Sequence, residues 1–157
     1  MSSDLIKELI RYAVSGALGT LGFVLMCNIR VKKLPFAVLG SLLVVIIWFF
    51  VSMTTTDVFI PNLVAAMFGT LYAEIMARVT KAPTTIYLIP SIITLVPGSR
   101  LYYTMSDLVH YDFAAMSTDG RDTLLVALGI AVGIVIVTTL FDFFSTIKKT
   151  QHRAHQS

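Results

Sequence analysis

TTIYLIPSIITLVPGSRLYYTM, residues Thr84 to Met105, is apolar enough to cross a membrane, yet it contains Pro90, Pro97, Gly98 and Arg100. A proline inside a helix lacks the amide that the carbonyl four residues earlier needs, and its ring presses on that carbonyl. Pro90 is therefore expected to release the carbonyl of Ile86, and Pro97 that of Ile93. The residue before each proline is steered away from helical angles. Gly98 accepts whatever backbone geometry a break requires, and Ser99 is a favoured N-cap for a helix restarting toward Tyr102 and Met105. The stretch predicts two half-helices, with free amides and partial positive charge at the start of the second, which suits an anion. Arg100 adds a fixed cation and a bidentate fork for a carboxylate. The competing reading is a plain proline kink, with Arg100 snorkelling to the headgroups or to Asp107.

The rest of the chain supplies the membrane context. Of 157 residues, 56% are hydrophobic and 13% charged, against roughly 25% charged in an ordinary soluble domain. Apolar segments run over about 5–27, 34–52, 58–79, 84–105 and 123–144, each near the roughly 20 residues that a helical crossing needs. Lipid cannot satisfy open backbone groups, and the segments lack the period-two alternation of a barrel. The expected fold is an all-α polytopic membrane helix bundle of about five transmembrane helices, the fourth broken at Pro97-Gly98, in one domain over 1–157. Residues 106–122 are expected to form an outer loop. Within it Leu108, Val109, Phe113 and Met116 are spaced so that a short helix could lie on the surface. Residues 145–157 form a tail. Asp4, Lys7, Glu8 and Arg11 interrupt the opening turns of the first segment and no small-residue cleavage site follows, so it reads as a retained helix.

Basic residues set the orientation. Arg30, Lys32, Lys33, Arg78, Lys81, Lys148, Lys149 and Arg153 fall on one side, and Lys7, Arg11 and Arg121 on the other. That imbalance puts the N-terminus outside and the C-terminus in the cytoplasm. The basic residues are spread along one membrane boundary and are not gathered with aromatics, so no nucleic-acid partner is expected. Cys27 is the chain's one cysteine, and no Cys/His spacing resembles a metal site, so neither metal nor cofactor is expected. His110, His152 and His155 read as solvated loop and tail residues. Enzymatic chemistry is not expected either. No Ser/His/Asp arrangement, HExxH run or paired intramembrane carboxylate appears, and Asp107, His110 and Asp112 read as a solvated outer loop.

In lipid, small residues let helix backbones approach closely enough to pack. The first helix has Gly16, Gly19 and Gly22, the last has Gly129-xxx-Gly133, and the third repeats Ala65, Gly69, Ala73 and Ala77, which marks it as the candidate centre of the bundle. A second edge of the third helix holds Asn62, Thr70 and Glu74, polar groups that must face protein or water. Glu74 lies four residues before Arg78, so an interfacial ion pair competes with a coupling role in proton or substrate relay. Asp142, near Lys148 and Lys149, presents the same alternatives.

AEIMARVTKAPTTIYLIPSIITLVPGSRLYYTM, Ala73 to Met105, resembles the signature region of the threonine/serine exporter family, in particular its five-helix C-terminal half. LGFVLMCNIRVKKLPFAVLG, Leu21 to Gly40, is similar to that family's opening pattern. The resemblance marks Gly22, Phe23, Asn28, Ala77, Arg78, Pro83, Pro90, Pro97, Gly98 and Tyr102, while Arg100 departs from it. It implies a secondary transporter of the bacterial inner (plasma) membrane that exports a small hydrophilic carboxylate, driven by the proton gradient. The substrate would be a threonine/serine-type amino acid or a dicarboxylate such as succinate. It also implies a partner membrane subunit bearing the other half, as in the two-component succinate exporter, and allows a homo-oligomer. Candidate substrate-binding residues are Pro97, Gly98, Ser99, Arg100, Tyr102, Asn62 and Thr70, with Glu74 and Asp142 as candidate coupling groups. The alternatives are an accessory subunit that docks and stabilises a partner transporter, and a channel lined by Asn62, Thr70 and Glu74.

Overall fold

The computed structural model describes residues 3–26 and 33–154, and within them the chain is all helical. The helices are α1 (Ser3–Met26), α2 (Leu34–Thr54), α3 (Phe59–Thr80), α4 (Thr85–Ile93), α5 (Gly98–Val109) and α6 (Phe113–Ala154). Four of them, α1, α2, α3 and α6, are long and apolar enough to cross a membrane. The fourth expected crossing is two shorter helices, α4 and α5. Asn28, which the family resemblance marked, lies outside the described residues.

Helix α3 is the centre of the bundle, packing against α2, α4 and α6. Its stripe of Ala65, Gly69, Ala73 and Ala77 is buried throughout. The α3–α6 seam is the tightest. A Cβ on Gly133 would lie 2.8 Å from the Leu63 carbonyl oxygen, and one on Gly129 would lie 2.8 Å from that of Phe59. Backbone meets backbone there, the close approach that glycine permits. Gly40 on α2 makes room for side chains instead, because a Cβ would come within 2.6 Å of Ser91 Oγ on α4 and of the Tyr72 ring on α3. The Tyr72 hydroxyl donates to the Phe36 carbonyl at 2.7 Å, tying α3 to α2. The Gly16-Gly19-Gly22 stripe of α1 behaves differently. Gly16 faces Val45 and Thr94, whereas nothing lies within 4 Å of a Cβ built on Gly19 or Gly22.

Local chemistry explains the helix ends. Pro35 stands in the first turn of α2, where its missing amide costs nothing. Helix α3 stops at Lys81, which takes the left-handed conformation at φ 48° and ψ 50°, and the Ala82 amide donates back to Ala77 at 3.0 Å. Such a cap is usually glycine. Pro90 does not end α4, which continues to Ile93.

Residues 106–122 are not a loop. Helix α5 runs on to Val109, the chain turns over His110–Asp112 with Tyr111 at φ 60°, and α6 begins at Phe113. The expected surface helix is thus divided between the end of α5 and the start of α6, which pair as an antiparallel hairpin. Gly129 is level with the start of α3, so the 16 residues of α6 before it extend about 24 Å further along the axis, at 1.5 Å per residue. Helix α5 packs chiefly on this extension and buries none of its side chains. The expected tail also begins as helix, since α6 continues to Ala154.

Candidate functional site

The break predicted from Pro97 is present, but its mechanics differ from the expectation. After Ile93 the Leu95 amide donates to Ile92 at 2.8 Å and the Val96 amide to Ile93 at 3.3 Å. The Ile93 carbonyl, expected to be released, is therefore taken up by a tightened turn. Pro97 then adopts φ −79° and ψ 56°, and the Gly98 amide donates to the Val96 carbonyl at 2.8 Å. Those angles and that bond make an inverse γ-turn centred on Pro97. No described glycine has positive φ, so Gly98 does not lend the break its special freedom. Pro97, not Ser99, is the N-cap of α5, and no side chain caps it. The Leu101 amide donates to the Pro97 carbonyl at 3.0 Å, which leaves the amides of Ser99 and Arg100 without a backbone acceptor.

Beside this turn is a cavity of about 610 Å³, walled by α1, α2, α3, α6 and the α4–α5 junction. Its volume suits a small metabolite. Of the residues singled out in the sequence, Asn62, Pro97, Ser99 and Arg100 line it. Asn62 is 4% exposed, and its Nδ2 donates to the Val58 carbonyl at 2.7 Å. Its Oδ1 accepts no hydrogen bond from the described residues and is available to a donor in the cavity. Thr94, Tyr12 and Trp48 complete much of the wall, and the Tyr12 ring meets the Trp48 ring edge-on at 5.9 Å.

Three other candidates stand elsewhere. Thr70 is fully buried within the bundle and donates to the Ala66 carbonyl at 2.8 Å. Gly98 is exposed and does not line the cavity. Tyr102 is largely exposed on α5, its ring against that of Tyr103. Glu74 pairs with Arg78 at 3.5 Å, and the Arg78 guanidinium also lies over the Phe141 ring at 4.4 Å from its centre. Asp142 is exposed on α6, and the side chains of Lys148 and Lys149, expected beside it, lie outside the described residues.

Arg100 neither snorkels away nor reaches Asp107. Its Nη1 donates to Asp122 Oδ2 across the α5–α6 hairpin at 2.5 Å. The sequence hides this partner, because residues 106–122 have the composition of a loop. The available signal was the cost of an arginine inside an apolar segment, which calls for a carboxylate on a neighbouring helix. Tyr12 and Trp48 were also missed, since aromatic residues in apolar helices carry no distinguishing pattern.

In comparisons with known proteins, the family model described as Threonine/Serine exporter, ThrE, matches residues 12–140, most of the chain. No curated protein and no solved structure gives a significant match.

Proposed function

The chain belongs to the threonine/serine exporter family, and from that membership we propose that it is one half of a secondary transporter. It works with a partner membrane subunit and exports a small hydrophilic carboxylate, either a threonine/serine-type amino acid or a dicarboxylate such as succinate, driven by the proton gradient. Membership and the four long apolar helices make it a membrane protein. The orientation read from its basic residues suits a bacterial inner membrane with the N-terminus outside.

The observation that carries this reading is the cavity at the helix break. It is lined by Ser99 and Arg100, whose amides have no backbone acceptor, and by Asn62, whose side-chain oxygen has no hydrogen-bond donor among the described residues. The amides and Arg100 suit a carboxylate, and Asn62 Oδ1 suits an ammonium or hydroxyl donor. Discontinuous helices serve secondary transporters in this way. Two surfaces support a partner half. The face of α1 at Gly22, away from the cavity, is open to a close-packing helix, and α5 buries no side chain of its own.

Counterflow in liposomes tests the proposal, comparing the purified chain with the co-expressed pair on threonine, serine and succinate. The pair is expected to exchange at least one of these, and Asn62→Leu to reduce that exchange tenfold or more. Equal rates from the chain alone would refute the half-transporter reading. The exposed apolar face of α5, including Leu101, Met105 and Leu108, favours a second reading as a docking accessory. Replacing Pro97 and Gly98 with alanine separates the two. Lost export with an intact complex supports the cavity, and dissociation supports docking.

A further inference from the structure

We propose that Asp122 is a built-in competitor for the substrate's carboxylate, holding Arg100 while the cavity is empty and yielding it when an anion enters. The inference rests on the reading of the cavity as the substrate site and adds how that site is regulated. Arg100 lines the cavity, and Asp122, on the α6 arm of the hairpin, does not. The guanidinium has five N–H donors, one of which serves Asp122. Beside it stand the unpaired amides of Ser99 and Arg100, and across the cavity stands Asn62, 4% exposed with an unpartnered Oδ1. An anion in the cavity therefore meets residues whose amides have no backbone acceptor and one cation engaged by Asp122.

The strength of the pair suits exchange. The two side chains are 39% and 27% exposed, so solvent screens their attraction. A ligand with several donors to bind can displace a partner held that weakly. When the competent state is only part of the population, apparent affinity falls by that fraction. For a screened pair the fraction is about one third to one sixth, so removing the competitor should tighten carboxylate binding about threefold to sixfold.

The experiment measures binding of L-threonine and succinate to the purified protein with its partner, by titration calorimetry and by the emission of Trp48. Trp48 is the chain's one tryptophan and lines the cavity, so with the partner's tryptophans replaced by phenylalanine it reports the site directly. Asp122→Asn should tighten binding by the stated factor, and Asp122→Ser serves if the first variant folds poorly. Asp119→Asn, the same charge change one turn away, should not tighten it. The gain should vanish in an Arg100→Gln background, because the competition acts through that residue. If a carboxylate binds the wild type and shifts Trp48 emission, but Asp122→Asn gives no gain or gives the same gain without Arg100, the competitor role is refuted and the site stands. If none of the probes binds or shifts the emission, the site reading fails and this inference fails with it.

Discussion

Substituting alanine for glycine should change sign along this one chain, depending on what the added methyl meets. At Gly133 it would lie 2.8 Å from the Leu63 carbonyl oxygen, 3.0 Å from Ala66 Cβ and 3.1 Å from the Met67 amide nitrogen. Ordinary contact begins near 3.4 Å, so the shortfall at the carbonyl is about 0.6 Å, and two of the three neighbours are backbone. Rotamer changes cannot relieve backbone contacts, so α3 and α6 must part along their seam. Forcing a methyl into packed structure costs about 1–3 kcal/mol, and alanine recovers up to about 1 kcal/mol of helix propensity. The net expectation for Gly133→Ala is a loss of about 0–2 kcal/mol, which places it about 1–3 kcal/mol below a glycine-to-alanine change that meets no neighbour. At Gly22, where nothing lies within 4 Å, only the propensity gain remains, and the variant should match or exceed the wild type. Reversible denaturant titration in mixed micelles, followed by circular dichroism, measures both. A Gly133→Ala as stable as Gly22→Ala would refute the backbone-on-backbone seam.

Other consequences follow from single features. Tyr111 holds φ 60° in the α5–α6 turn, and left-handed geometry costs a side-chain-bearing residue about 1 kcal/mol or more. Tyr111→Gly should therefore raise the thermal midpoint by a few degrees. Glu74→Gln breaks a pair whose arginine is 55% exposed, so it should cost under about 1 kcal/mol and leave transport above half of wild type. A tenfold transport loss would make Glu74 a coupling group instead. Ser99 is exposed at the cavity, so Ser99→Cys in a Cys27→Ser background should react with a membrane-impermeant thiol reagent from outside and be protected by threonine. Reaction from the cytoplasmic side alone would reverse the proposed orientation.

How far the sequence could be read depended on whether a feature was local. Pro97 announced the break because its missing amide is a property of the residue. The Ala65–Ala77 stripe announced the bundle centre because helical spacing puts those positions on one face. Gly129 and Gly133 followed the same rule, but Gly22 has the same residue type and no neighbour. A glycine shows that close approach is permitted, and only the partner helix decides whether it happens. The Arg100–Asp122 pair lay beyond reach for a related reason. It spans 22 positions and depends on residues 106–122 being a helical hairpin, and Ser106, Asp107, Asp112, Ser117, Thr118 and Asp119 gave that stretch the composition of a loop. Pro90 misled in the opposite direction. It carries the same signal as Pro97, yet α4 continues through it, fully buried and packed against its neighbours.

The hairpin also changes what the break accomplishes. Read along the sequence, Pro97 and Arg100 lie inside a membrane span, where a charge costs about 2.5–3.5 kcal/mol even on lenient scales. In three dimensions the α6 register puts Phe59, the first residue of α3, beside Gly129, and Asp122 lies seven residues earlier on the same helix. The ion pair is thus about 10 Å beyond the start of α3, at 1.5 Å per residue. Helix α4 enters the bundle from the α3 side and ends at a turn, and α5 leaves it along the α6 extension. The charge is therefore only partly buried, while Ser99 and Arg100 line a cavity that reaches to Asn62. A carboxylate entering there would pass from a wet, screened cation to a drier wall of Asn62, Thr94 and Trp48, where each hydrogen bond it makes has fewer waters to compete with. Such a gradient favours capture at the mouth by Arg100 and discrimination further in by Asn62. The two residues should then separate kinetically, with Arg100 governing association and its salt dependence and Asn62 governing which carboxylate stays.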